Sequence, residues 1–111
     1  MASDPKTVEY LIDQLRSGGA DVSARKMFGE YGLYLDGKMV AMLCDDQLFV
    51  KPTPAGCAFV GPVEEAPPYP GARPHPVIDG DRWEDADWMA ELFRITAAAL
   101  PAPKPKKAKV T

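Results

Sequence analysis

The sequence predicts an α+β fold in two layers, in which an antiparallel sheet, a three-stranded meander plus an edge strand, packs with an N-terminal and a C-terminal helix. Three observations predict it. Residues 25–52, RKMFGEYGLYLDGKMVAMLCDDQLFVKP, hold three short apolar runs divided by Asp36-Gly37 and Asp45-Asp46. Apolar residues recur at helical spacing at both ends of the chain. Between them lies a proline-rich run, GPVEEAPPYPGARPHP, that suits neither a helix nor a central strand, because proline fixes φ and donates no hydrogen bond.

The first helix is expected over residues 4–17. Asp4 supplies a cap and Pro5 fits the first helical position, while Val8, Leu11, Ile12 and Leu15 form one apolar face. Gly18-Gly19 ends the helix, and a loop from Ala20 to Ala24 leads to Arg25. The meander follows. Asp-Gly is a strong signal for a two-residue hairpin turn, which pairs Leu35 with Lys38 and Leu33 with Val40. If Asp45-Asp46 is also a two-residue turn, Leu43 pairs with Leu48 and Met42 with Phe49; a longer turn would flip the third strand and leave both faces largely apolar. The two-residue register puts Tyr31, Leu33, Val40, Met42 and Phe49 on one face, and Tyr34, Met39, Ala41, Leu43, Leu48 and Val50 on the other. A one-sided antiparallel sheet alternates apolar with polar residues. This one is apolar on both faces, so each needs cover. The two long helices serve one; the other requires the middle segment, a second subunit or a ligand.

A short helix over residues 53–60 is capped by Thr53 and started by Pro54. Pro76-Val77-Ile78-Asp79 reads as a short edge strand and Gly80-Asp81 as a turn. The last helix is expected from about Asp85 to Leu100, with Trp88, Leu92, Ile95 and Ala99 as its stripe and Met89, Phe93, Thr96 and Leu100 widening it. Pro101 stops it.

The 111 residues fit one domain, 1–101, followed by a Lys/Pro-rich tail, 102–111, whose composition predicts disorder. A domain of this size buries roughly 65% of its unfolded surface, enough for a core without staples. No apolar run is long enough to span a bilayer, and the N-terminus lacks the basic and apolar regions of a secretory signal. The expected location is the cytoplasm. Cys44 and Cys57 are too few for a disulfide framework and are read as reduced, packed as small hydrophobes. Net charge is −3. Lys104, Lys106, Lys107 and Lys109 place +4 in the last eight residues, and the remainder holds nine Lys/Arg against sixteen Asp/Glu, a net −7. An acidic body matches a phosphate backbone poorly, so nucleic acid is expected only through those four lysines.

His75 is the only histidine, which excludes a multi-histidine metal site. Between Pro74 and Pro76 it is expected in a stiff, exposed, groove-lining setting. No metal-ligand spacing, phosphate loop or nucleophile–base pair is visible. The acidic pairs sit at turns and helix starts, where carboxylates act as turn formers and caps. No catalytic, cofactor-binding or metal-binding residue is therefore expected. Met27 and Phe28 read as core, and Gly29 and Gly32 as a bulge or close backbone approach at the start of the first strand. Arg25 and Lys26 read as a solvated edge, as partners of a carboxylate such as Glu30, or as holders of an anion. Tyr69, Arg73, His75 and Trp83 in or near the proline run have the composition of a recognition surface, and fit equally a loop pinned onto the sheet by its aromatics. The candidate interaction surface is thus Arg25, Lys26, Tyr31, Tyr69, Arg73, His75 and Trp83.

The ordered set formed by residues 25–52, PPYPGARPHPVI at 67–78 and DWMAELFRITAAALP at 87–101 resembles the N-terminal domain of the TfoX/Sxy family, bacterial proteins linked to natural competence. The resemblance implies a two-layer, secretion-chaperone-like α+β fold and an intracellular bacterial protein. It brings no catalytic residue. In the competence regulators this domain precedes a C-terminal helical domain, for which 111 residues leave no room. Glu30 stands where many family members carry glycine. The leading expectation is a non-enzymatic protein-interaction domain, homodimeric, linked to regulation of competence or transcription. The alternatives are a DNA-associated accessory factor using the tail, and a small-molecule binder or enzyme with Arg25, Tyr31 and His75 near one pocket.

Overall fold

The computed structural model describes residues 4–27 and 30–100. The lysines of the tail, Phe28 and Gly29 lie outside the described residues, as does the side chain of Met27.

Helix α1, Pro5–Ser17, begins as the sequence predicts: the Asp4 carboxylate accepts from the Lys6 N–H, and Pro5 occupies the first turn. Its apolar face buries Val8, Leu11 and Leu15. At its end Gly18 passes so close to the last helix that a β-carbon there would overlap the Ala86 carbonyl.

Strand β1, Ser23–Met27, forms where a loop was expected and pairs antiparallel with β2, Glu30–Leu35. Ser23, Ala24, Arg25 and Lys26 are all exposed, so this edge strand carries no buried alternation by which the sequence could announce it. Strand β3, Lys38–Cys44, follows the Asp36-Gly37 turn, where both residues have positive φ, 56° and 78°. Strand β4, Gln47–Val50, follows Asp45-Asp46, at 54° and 58°. Both are the two-residue primed turns the sequence predicts.

One expected pairing is wrong. Leu33 lies opposite Ala41, not Val40, and Tyr34 lies opposite Met39. Val40 is therefore an extra residue, a β-bulge, and alternation along β3 slips by one beyond it. Val40 and Ala41 both enter the core, as do Leu43, Leu48 and Val50. Met39 moves to the opposite face, with Met42 and Phe49. The expected faces are corrected accordingly: Tyr31, Leu33, Val40, Ala41, Leu43, Leu48 and Val50 face the core, and Tyr34, Met39, Met42 and Phe49 face away from it.

Helix α2, Pro54–Val60, is capped by Thr53, whose hydroxyl accepts from the Gly56 N–H. Two short strands complete the sheet, β5 at Glu65–Ala66 and β6 at His75–Ile78. The spatial order is β1-β2-β3-β4-β6-β5, antiparallel throughout. The expected edge strand β6 is interior, with β5 outside it. Proline is tolerated there because Val77 donates outward to the Glu64 carbonyl at 2.9 Å, and the β4 ladder stops at the Phe49–Val77 pair, before Pro76. The sheet thus exceeds the expected width by two strands, while the two-layer antiparallel α+β architecture is the one the sequence predicts.

A turn of helix, α3 at Gly80–Trp83, replaces the expected Gly80-Asp81 turn and leads to α4, Ala86–Ala99. Asp85 caps α4 by accepting from the Trp88 N–H at 3.1 Å. The buried stripe of α4 is Met89, Leu92, Phe93 and Thr96 with Ala90 and Ala97, whereas Ala99 is exposed. Trp88 lies at the margin, stacked on Phe59 at 5.4 Å with the Arg82 guanidinium 4.7 Å above its ring. The Lys38 ammonium donates to the Ala97 and Leu100 carbonyls at 2.8 and 3.1 Å, closing the negative end of α4.

All four helices lie on the core side of the sheet, with α1 and α2 packed against α4. Among the described residues, no helix is long and apolar enough to cross a membrane.

Candidate functional site

Among the described residues, no helix lies over the face of the sheet turned away from α1, α2 and α4. Three rows of side chains cross it in register. Tyr34 and Met39 form one; Gly32, Met42 and Phe49 the next; Glu30, Cys44 and Gln47 the third. Phe49 and Cys44 are buried yet belong to no part of the helix-side core, whereas Met39, Met42 and Tyr34 are only half-buried. The loop between β5 and β6 comes back over this face as a strap. Its prolines make a stiff wall that needs few backbone partners, and a tight turn (Ala72 N–H to the Tyr69 carbonyl, 3.1 Å) closes its tip.

Between sheet and strap runs a groove of about 950 Å³. Its floor is Met39, Met42, Cys44 and Phe49; its strap wall is Pro67, Pro68, Tyr69 and Pro70. Glu30, Asp45 and Gln47 complete the lining, with Tyr31 at its border. The carboxylate of Glu30 is held in place, accepting from the Asp45 N–H at 3.2 Å through both oxygens. The adjoining Asp46 accepts from the Asp4 N–H at 2.8 Å, which ties this end of the sheet to the start of α1. The Cys44 thiol is pushed above its ordinary range, chiefly by burial and further by the negative charge of Glu30. It stays protonated near neutrality, which suits a packing residue rather than a nucleophile. Cys57 is likewise free. Among the described residues no group of three or more His, Cys, Asp or Glu could hold a metal.

The structure brings some of the sequence-predicted surface together and separates the rest. Tyr69 lines the groove and is 56% exposed, whereas Tyr31 only borders it: opposite Leu43, its side chain lies on the core face and packs against the core. Arg25 lies on the same sheet face at β1, its guanidinium 5.3 Å above the Tyr34 ring, and Lys26 beside it is exposed. Arg73 is exposed at the base of the strap. His75 is buried, only 8% exposed, not exposed as its proline flanks suggest, and its Nδ1–H donates to the Arg73 carbonyl at 2.7 Å. A carbonyl only accepts, so the proton sits on Nδ1, and the ring pins the strap to β6. Trp83 belongs to the helix layer: its indole donates to the Ile78 carbonyl at 2.8 Å, and its own carbonyl accepts from Gln14 at 2.9 Å. Arg25, Tyr31 and His75 share no pocket. Their strands β1 and β6 lie four places apart in the sheet, roughly 19 Å, and of the three only Tyr31 borders the groove.

Met39, Met42 and Phe49 carry no signal in the sequence that marks them as a site, and Glu30 stands out there only as a carboxylate near Arg25 and Lys26. The two methionines were assigned to opposite faces, and only the bulge at Val40 places them together.

Two comparisons bear on this arrangement. The family model for the TfoX N-terminal domain matches residues 13–100. A protein of Spirochaeta aurantia, described as an uncharacterised 12.7 kDa protein in the trpE 5′ region, is 47% identical over 111 residues, covering 98% of this chain and 93% of the relative.

Proposed function

We propose that this chain, which belongs to the TfoX N-terminal domain family, is a non-enzymatic protein-interaction domain whose contact surface is the strapped groove on the open sheet face. One observation carries the reading: Met39 and Met42 sit half-buried on a floor that no helix among the described residues covers, while Leu33, Val40, Ala41, Leu43, Leu48 and Val50 on the other face are fully covered. An apolar groove of about 950 Å³, walled by prolines and an exposed tyrosine, is a surface that gains from a partner. Its charged lining residues, Glu30 and Asp45, are acidic, which disfavours a phosphate backbone there. The regulatory setting, competence or transcription, rests on the family resemblance.

Affinity capture from extract of the native cell tests the reading, with the full chain and its Met42→Asp variant compared at equal folded concentration. A protein retained by the parent and lost by the variant supports it. Identical retention by both, or by neither, contradicts it.

A further inference from the structure

The groove is not uniform along its length, and the gradient specifies what it takes. At the row of Met42 and Phe49, and onward to Met39, the floor is aliphatic, aromatic and thioether. Methionine is unbranched and polarisable, so such a floor adapts to varied apolar side chains. Gly32, opposite Met42, contributes no side chain to this row. Two residues further along β3, at the third row and the adjoining turn, the lining becomes Glu30 and Asp45. No lysine, arginine or histidine stands among the described lining residues, whose two formal negative charges both lie at this end. Glu30 is oriented by the Asp45 N–H, so its charge is fixed beside the groove.

We infer that the groove receives an extended segment of a partner protein carrying apolar side chains at alternate positions and a lysine or arginine two positions further on, the cation lying at Glu30 and Asp45. This rests on the interaction-domain reading and adds the chemistry of the partner. The spacing follows from the sheet. Successive rows are two residues apart along β2, as are Met42 and Cys44 on β3 beyond the bulge, about 7 Å, and the same distance separates alternate side chains of an extended peptide. A long cationic side chain also fits the transition, since its stem can lie on apolar surface while its head meets the carboxylates. A second copy laid groove to groove in parallel register would bring Glu30 and Asp45 against their own counterparts. That arrangement meets like-charge repulsion, which a basic partner does not.

The test uses the full chain with ¹³C-methyl-labelled methionine and capped synthetic peptides. The probes are Leu-Ser-Leu-Ser-Arg, Leu-Ser-Leu-Ser-Glu and Ser-Ser-Ser-Ser-Arg, titrated while the Met39 and Met42 methyl resonances are followed. The arginine-ended apolar peptide is expected to bind about tenfold more tightly than the glutamate-ended one at low salt, with the gap closing as salt rises. In the double variant Glu30→Gln, Asp45→Asn the preference should shrink to about threefold or less. Asparagine accepts the positive φ at position 45, so the turn survives the change. Equal binding of the first two peptides, or a preference that persists in the double variant, overturns the charge assignment. Absence of binding by all three overturns the proposed chemistry, whereas the interaction-domain reading stands or falls separately with the Met42→Asp capture. Methyl shifts that depend on protein concentration without peptide, together with a dimer in sedimentation, make the occupant a second copy and also overturn it.

Discussion

On the helix side of the sheet, Leu33, Val40, Ala41, Leu43, Leu48 and Val50 are buried against α1, α2 and α4. On the other side, drawn from the same strands, Met39 and Met42 remain half-buried beside a strap of prolines, and Tyr34 is half-buried under the Arg25 guanidinium. Both faces are apolar, so hydrophobicity alone does not distinguish core from contact surface. Two things do: which side the helices occupy, and the bulge that sends Val40 inward and Met39 outward. The helix face is closed by rigid, shape-matched residues. The open face carries flexible methionines and a stiff external wall, a composition that tolerates an exchangeable occupant.

Substitutions on the two faces should separate most widely. Phe93→Ala, at a fully buried position of α4, is expected to cost about 3–5 kcal/mol in chemical denaturation. Met42→Ala should cost only about 1 kcal/mol while weakening partner binding. Similar losses at both positions would break the distinction between the faces. A smaller effect is expected at Gly56, where α2 meets α4. An added β-carbon would come within 2.8 Å of the hydroxyls of both Thr53 and Thr96, and Gly56→Ala should cost about 1–3 kcal/mol by overpacking, with the Met39 and Met42 resonances unmoved. Smaller again, Lys38→Met removes the ammonium from the last carbonyls of α4 and should cost about 1 kcal/mol, read as a lowered melting temperature.

The smallest effect concerns pH. Burial and Glu30 raise the folded-state pKa of Cys44 above its ordinary 9.0. For a raised folded pKa, the stabilising contribution is complete below the unfolded value and is lost as pH rises through the folded one. Stability should therefore fall above about pH 9, and Cys44→Ala should flatten part of that slope. Parallel pH profiles for the two proteins would contradict the buried-thiol account.

Much of this architecture was legible in the residues. The Asp36-Gly37 and Asp45-Asp46 turns, the Asp4, Thr53 and Asp85 caps and the apolar face of α1 are local features with local physical causes, and the structure has each of them. What escaped was long-range. Strand β1 is exposed along Ser23–Lys26 and held by its ladder with β2, so no apolar pattern marks it. Strand β6 became interior because β5, a mere Glu65–Ala66, pairs outside it. The bulge at Val40 is a property of pairing, invisible in β3 alone. Of the site, the apolar second face and Tyr69 could be read from the sequence. The groove floor could not, because its membership depends on that bulge. His75 and Trp83 were drawn into the candidate surface by their proline and aromatic surroundings, and both are engaged by backbone carbonyls instead.

Methyl relaxation by a soluble paramagnetic agent tests the central claim most directly, in free dilute protein and again with the arginine-ended peptide. The account predicts that the Met39 and Met42 methyls broaden in the free protein and are shielded on peptide addition, while Met89, fully buried in α4, is shielded in both states. Met39 and Met42 as protected as Met89 in the free protein, or equally broadened with and without peptide, would contradict it.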